Sequence, residues 1–345
     1  MKIARIPLQP HSRFHFGMMK LDHDLALSDS SFFAHSDTLF SGLVNSYSKL
    51  SGAGQTLIDY FEREEIKVSS LLYYITDKTE QPTYVHFVPK PLFLEASSDK
   101  QKDGQHKKRN RIKFVSLGVV EKGFQADHWL EEDQFSILQD TFVITQEEKT
   151  ALGLSPEEVK KISVAQKVFS PKSPQRAHSH NASIYYQTDL QIGDQSKVNV
   201  GWYCAYEAEG EAETAFKNAL NVLAYTGIGG EVYNTGRTIP EKPDFTSLNF
   251  TPITSPRAWM NIALLNPQNV EEFQQVSFYQ TVFRGGRMGT NDPDGKANVV
   301  SMIAEGALVT SNDVSGRLVE LGLDEQDRII YRNGKTLLIP IPYDV

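Results

Sequence analysis

The chain has 345 residues, 40% hydrophobic and 23% charged, a balance that allows roughly two folded domains and excludes a disordered or membrane-embedded chain. Its 35 Lys and Arg against 43 Asp and Glu leave a net charge of −8, so any polyanion must be held by a local patch and not by the field of the whole molecule. Cys204 is the one cysteine, which excludes an internal disulfide and a cysteine-based zinc site and fits a reducing cytoplasm.

No run reaches the roughly 18 apolar residues of a membrane span. The opening Met1 to Pro7 has no apolar core of the signal-peptide kind, so a cytoplasmic location without membrane contact is expected. Lys2 to Leu8 alternates and predicts a short strand, followed by a loop with Phe14, His15, Phe16 and Gly17. From Ser36 and Asp37, read as N-cap residues, Leu39, Leu43, Tyr47 and Leu50 recur at helical spacing until Ser51 to Gly54. A second helical piece spans about 56–65. Leu71 to Ile75 and Tyr84 to Val88 are strand-like around a turn at 77–82.

Ser97 to Asn110 reads as a charged loop. Between Lys100 and Lys113, seven Lys and Arg face one acid, Asp103. Residues 125–165 suggest short helices, and Phe169 to Pro174 a Pro/Ser linker. Asn181 to Leu190 and Val198 to Glu207 read as a strand pair, with Val198, Val200, Trp202, Cys204 and Tyr206 on one face. Glu211 to Tyr225 is an amphipathic helix ending in Gly227-Ile228-Gly229-Gly230, and Phe245 to Pro252 supplies another strand.

Strand, helix, insertion, strand, strand, helix, strand is the order of a ferredoxin-like α+β fold interrupted after its first helix. We therefore expect a first domain over 1–250 with an insertion at about 65–180. A smaller ferredoxin-like domain is expected over 251–345, with a helix near 297–305.

Gly227, Gly229, Gly230 and Gly236 with Arg237 suggest a loop whose backbone N–H groups approach a ligand. A helix cap with a tight turn explains one or two of these glycines equally well. The spacing is neither a Walker A loop nor a dinucleotide fingerprint. His35 beside the helix start at Ser36 and Asp37 would favour a phosphate, although capping alone accounts for Ser36 and Asp37. His15 and Phe16 combine a donor with stacking surface, the mixture single-stranded RNA recognition uses, and core packing is the plain alternative. His178 and His180 lack a third metal ligand, so Arg176, His178 and Asn181 read better as RNA contacts. Lys107 to Arg111 could neutralise phosphates, and Arg284 and Arg287 flank two glycines and could grip a nucleic-acid backbone.

Phe14 to Gly17 and His35 to Leu43 together resemble the RAMP subunits of CRISPR systems, above all the fourth subunit family of type III-A Csm complexes. The resemblance extends to Val88 to Pro91, Gly227 to Glu231 with Gly236, Ala304 to Ala307 and Ile330 to Pro340, in the family's order. It implies tandem RRM-like domains with a glycine-rich loop. It also implies a subunit without active site, metal or cofactor that binds the repeat-derived 5′ tag of the crRNA. Such a subunit joins a large polymerase/cyclase-like subunit to the backbone RAMP subunit. A metal-independent repeat endoribonuclease using His15 or His35 as base is the alternative.

Overall fold

The computed structural model describes residues 1–19, 28–96, 103–172, 184–230, 241–248, 250, 256–287, 296–324 and 326–343. Strand β1 (Lys2–Pro7) sends Ala4 and Ile6 into one core and Ile3 into another. After β2 (Arg13–Phe14) come helices α1 (Ser36–Ser51) and α2 (Gly54–Glu62). Leu39, Phe40 and Leu43 give α1 its buried stripe, and Gly52 stops it, its φ of 71° letting the Gly52 N–H donate to the Ser48 carbonyl. The N-cap is His35, which makes no side-chain cap bond, so Ser36 and Asp37 are not the caps expected. Strand β3 (Ile66–Val68) precedes β4 (Leu72–Thr76), which is buried on both faces. Then β5 (Tyr84–Pro89) returns beside β4 with His86 opposite Tyr74, the hairpin expected around 77–82.

A long excursion follows. Its helices are α3 (Phe93–Ala96), α4 (Asp103–Arg111), α5 (Leu117–Glu121), α6 (Gln146–Ala151) and α7 (Pro156–Lys161). Its strands are β6 (Phe114–Ser116), β7 (Phe135–Leu138), β8 (Phe142–Thr145), β9 (Ala165–Lys172) and β10 (Tyr185–Ile192). The chain then re-enters the first sheet with β11 (Asn199–Ala208), crosses it with α8 (Gly210–Thr226) and closes its edge with β12 (Asp244–Ser247). The order β12-β1-β11-β4, antiparallel throughout, is the 4-1-3-2 arrangement of a ferredoxin-like unit. Strands β5, β6, β8 and β7 extend that sheet, whereas β2, β10 and β9 form a sheet of their own.

Two expectations change here. The partner of Val198 to Glu207 is Leu72–Thr76, not Asn181 to Leu190, which pairs with β9 and β2. The insertion therefore lies between the second and third strands of the unit, within 77–198, and not directly after the first helix. Alternation identifies a strand but not its neighbour, and β4, apolar on both faces, carries no period-2 signature. In addition, part of the charged loop is helix α4, and the supposed linker at Phe169 is strand β9.

The remainder forms a second unit. Its elements are β13 (Ala258–Asn261), α9 (Val270–Gln274), β14 (Val276–Ser277), β15 (Thr281–Arg287), β16 (Lys296–Ile303), β17 (Leu308–Val309), β18 (Gly316–Leu323), β19 (Ile329–Lys335) and β20 (Leu338–Ile341). The antiparallel order β14-β17-β13-β20 is again 4-1-3-2. Here the β18–β19 hairpin stands where a second helix would, and β15–β16 is inserted at the same place as the long excursion of the first unit. The helix expected near 297–305 is strand β16, consistent with the β-branched Val299, Val300 and Ile303.

The first sheet buries both faces. Trp202 and Cys204 face α1 and α8, while Ile3, Tyr203 and Ala205 pack on Met260 and Ile339 of the second unit. Among the described residues, no helix is long and apolar enough to cross a membrane.

Candidate nucleic-acid interface

Helix α8 buries Phe216, Ala219, Leu220 and Leu223, an i, i+3, i+4, i+7 stripe, and ends where Gly227 donates its N–H to the Leu223 carbonyl at 2.8 Å. The turn that follows lies on the His15–Phe16 segment. Gly229 sits at φ 99°, and a Cβ there would stand 2.8 Å from the His15 carbonyl oxygen and 3.2 Å from the Phe16 ring. Gly230 is exposed and donates its N–H to that same carbonyl at 2.9 Å. The glycine requirement at 229 is thus an approach to the protein's own backbone.

His15 is buried, with Nδ1 2.8 Å from the Thr188 carbonyl, and Phe16 packs on Trp202 beside Phe14. Phe16 is therefore core and not a free stacking surface. That is the plain alternative raised for it.

His35, Ser36, Asp37 and Arg284 are brought together, but into a lock between the two units. Arg284 donates from Nε and Nη2 to the two carboxylate oxygens of Asp37, both at 2.9 Å, and from Nη2 to Thr38 Oγ1 at 3.0 Å. Arg332 of β19 donates to the same carboxylate at 2.5 Å and to the Gly285 carbonyl at 3.0 Å. Burial alone would raise the Asp37 pKa, but the two guanidinium groups hold it well below the usual carboxylate range.

Two residues before Asp37, His35 Nδ1 meets Glu305 at 2.9 Å, and Ser70 Oγ donates to the same carboxylate. Burial opposes the charge of Glu305, yet His35 and Ser70 lower its pKa overall. Ser36 is fully buried: its N–H donates to Ser70 Oγ at 2.8 Å and its Oγ accepts from the Leu264 N–H at 3.0 Å. These polar groups face each other and not solvent, so the phosphate site imagined at this helix start and the grip imagined for Arg284 are replaced by internal partners. The block Val88 to Pro91 joins the same seam, where the Leu92 N–H donates to the Gly306 carbonyl at 2.9 Å.

Arg176, His178, Asn181 and Arg237 lie outside the described residues. Arg287 closes β15 opposite Lys296, far along the chain from the glycine turn.

What the sequence did not single out is an aromatic pair on the β9–β10 ribbon. Phe169 and Tyr186 stack at 5.0 Å with an interplanar angle of 2°, yet they are 64% and 54% exposed. Exposed Arg13 reaches the same ribbon, donating to Gln191 Oε1 at 2.9 Å and Ser170 Oγ at 3.1 Å. The strand register puts Arg13 on the face of Ser170 and Gln191, opposite the rings, and two aligned rings held in water are themselves a surface suited to the face of a nucleobase. Val168-Phe169-Ser170 shows no alternation that would single out Phe169, and the pair becomes visible only with the strand partner Tyr185–Ile192.

Residues 254–341 match the family model of the CRISPR Csm4 C-terminal domain. A curated protein of Methanocaldococcus jannaschii, the CRISPR system Cms protein Csm4, is 22% identical over 99% of this chain and 97% of its own length. The chain shares its fold with a chain of the crystal structure of a Csm3–Csm4 subcomplex from the type III-A CRISPR-Cas interference complex. There the TM-score is 0.67 at 21% identity, covering 99% of this chain and 100% of that one. It shares it also with a chain of a Csm1–Csm4 cassette in complex with cA4, at a TM-score of 0.57 and 15% identity over the whole of both chains. Residues 254–341 thus match a Csm4 C-terminal domain, and the whole chain is similar to Csm4 proteins of CRISPR systems in sequence and in fold.

Proposed function

We propose that the protein is a non-catalytic, RNA-binding subunit of a type III-A CRISPR effector. It holds the repeat-derived 5′ tag of the crRNA and joins a large polymerase/cyclase-like subunit to the backbone RAMP subunit. The partner assignment is supported by the company that similar folds keep, one crystallised with Csm3 and another with Csm1. The RNA assignment is carried by the exposed Phe169–Tyr186 stack, an apolar platform that folding leaves open and a base can cover. In the sequence between Lys172 and Tyr185 stand Arg176, His178 and Asn181, cationic and hydrogen-bonding residue types suited to phosphates.

The non-catalytic reading rests on the two candidate bases. His15 is buried with Nδ1 on a backbone carbonyl, and His35 is buried against Glu305, so neither offers a nitrogen to a 2′-hydroxyl on the surface. Incubating the purified chain with its own repeat RNA, without divalent metal, tests both halves. The expected outcome is a stable shift of intact RNA that is lost in Phe169→Ala/Tyr186→Ala. Site-specific cleavage abolished by His35→Ala would overturn it in favour of the endoribonuclease.

A further inference from the structure

The long excursion and the end of the chain enclose a cleft of about 240 Å³ that neither the ribbon nor the glycine turn touches. Its walls include Phe93, Phe124, Trp129 and Tyr343, with Lys90 and Arg109 among the polar residues. Tyr343 lies 4.4 Å from Phe93, and Phe124 meets Phe93 edge-on at 5.6 Å. Three successive residues here take left-handed backbone, Gly123 at φ 76°, Phe124 at 63° and Gln125 at 46°. For Phe and Gln that conformation is strained, and strain of this kind collects at ligand clamps. It is fixed by the Trp129 indole N–H, which donates to the Phe124 carbonyl at 2.6 Å.

Arg109 supplies the polar end. Its Nη1 donates to Asp127 at 2.7 Å, while its Nε is buried and, among the described residues, has no acceptor. A buried N–H without an acceptor is costly, so a ligand oxygen at that point is stabilised. Helix α4 continues the charge outward with exposed Lys107, Lys108 and Arg111, in a chain whose net charge is −8.

The geometry points to a second nucleic-acid site: this cleft takes the base of one unstacked nucleotide of a single strand, with the adjoining phosphate at Arg109. Tyr343, partly exposed where Phe93, Phe124 and Trp129 are buried, offers the base its face, and a donor fork at the mouth suits a phosphate. An acidic aromatic side chain of a partner protein would need one cation. A strand running on from the cleft accounts for Lys107 and Lys108 on α4, whereas Arg111 pairs with Asp140 at 3.3 Å.

The test uses the intact chain labelled with 5-fluorotryptophan, whose three tryptophans give separate ¹⁹F lines, with that of Trp129 assigned by Trp129→Phe. AMP, inorganic phosphate and a single-stranded decanucleotide are titrated in turn. The expected result is that AMP and the oligonucleotide move the Trp129 line and phosphate alone does not. Arg109→Gln should weaken the oligonucleotide response by about tenfold or more, and so should Tyr343→Ala, a second variant at the margin of the fold. An unmoved Trp129 line, or one moved equally by phosphate alone, would overturn the proposal. Phe169→Ala should leave the Trp129 response intact, so this site and the ribbon can fail independently.

Discussion

Asp37, in the first turn of α1, and Arg284, in the inserted hairpin of the second unit, form a two-pronged ion pair although 247 residues apart in the chain. With Arg332 on the same carboxylate and His35, two residues before Asp37, on Glu305, the pair fastens one ferredoxin-like unit to the other. Asp37→Asn leaves two half-neutralised buried guanidinium groups and should cost about 3–5 kcal/mol in urea denaturation. The sign with pH follows from the lowered pKa. The pair contributes fully above the unfolded carboxylate value near ~4, and the contribution is lost as pH falls through the folded value. The wild type should therefore show no change from this pair between neutral pH and about 5.

The aromatic platform should matter for RNA and not for folding. Phe169→Ala or Tyr186→Ala each removes a ring that is mostly in water, so the melting temperature should stay near that of the wild type. Affinity for a tag oligonucleotide, read by fluorescence anisotropy at fixed salt, should fall by about 1–3 kcal/mol for each ring removed.

The two glycines of the turn should behave differently. Gly229→Val forces a Cβ onto the His15 carbonyl at a left-handed φ and should destabilise the fold by roughly 1–3 kcal/mol. Gly230→Ala meets only the edge of the His15 ring, 3.1 Å away, so thermal denaturation should register about 1 kcal/mol or less. A loss of RNA affinity in Gly230→Ala without a change in melting would place the turn beside the nucleic acid.

His86 gives a separate pH signature. Burial, followed by the neighbouring Arg5 charge, lowers its pKa to about 3, and Arg5 Nε donates to its Nε2 at 3.3 Å. The unfolded chain takes up the proton near ~6.5, whereas the fold takes it up only near 3. Stability should therefore rise with pH across that window and fall on acidification below about 6.5. Comparing urea midpoints at neutral and mildly acidic pH, His86→Gln should be less acid-sensitive than the wild type.

Helical periodicity made α1 and α8 legible in the sequence, because a buried stripe at Leu39 and Leu43 or at Phe216 to Leu223 is a one-dimensional pattern. The hairpin from β4 to β5 was legible for a different reason, its turn being marked by Asp77 to Pro82 between two apolar runs. What could not be read was which strand sits beside β11, since Leu72–Thr76 is apolar on both faces and lies more than a hundred residues upstream. The second unit hid its topology because the β18–β19 hairpin replaces a helix.

The candidate residues divide in a similar way. A conspicuous His35-Ser36-Asp37 reads alike whether it meets a ligand or Arg284 and Glu305. The Phe169–Tyr186 stack appears only once two strands separated in sequence are laid side by side.

The most direct test is photocrosslinking within the assembled effector, using a guide RNA that carries 4-thiouridine in its 5′ tag. Crosslinked peptides of this chain are predicted to come from the β9–β10 ribbon around Phe169 and Tyr186 and from the turn after α8. Tag crosslinks confined to other subunits, with none on this chain, would contradict the account.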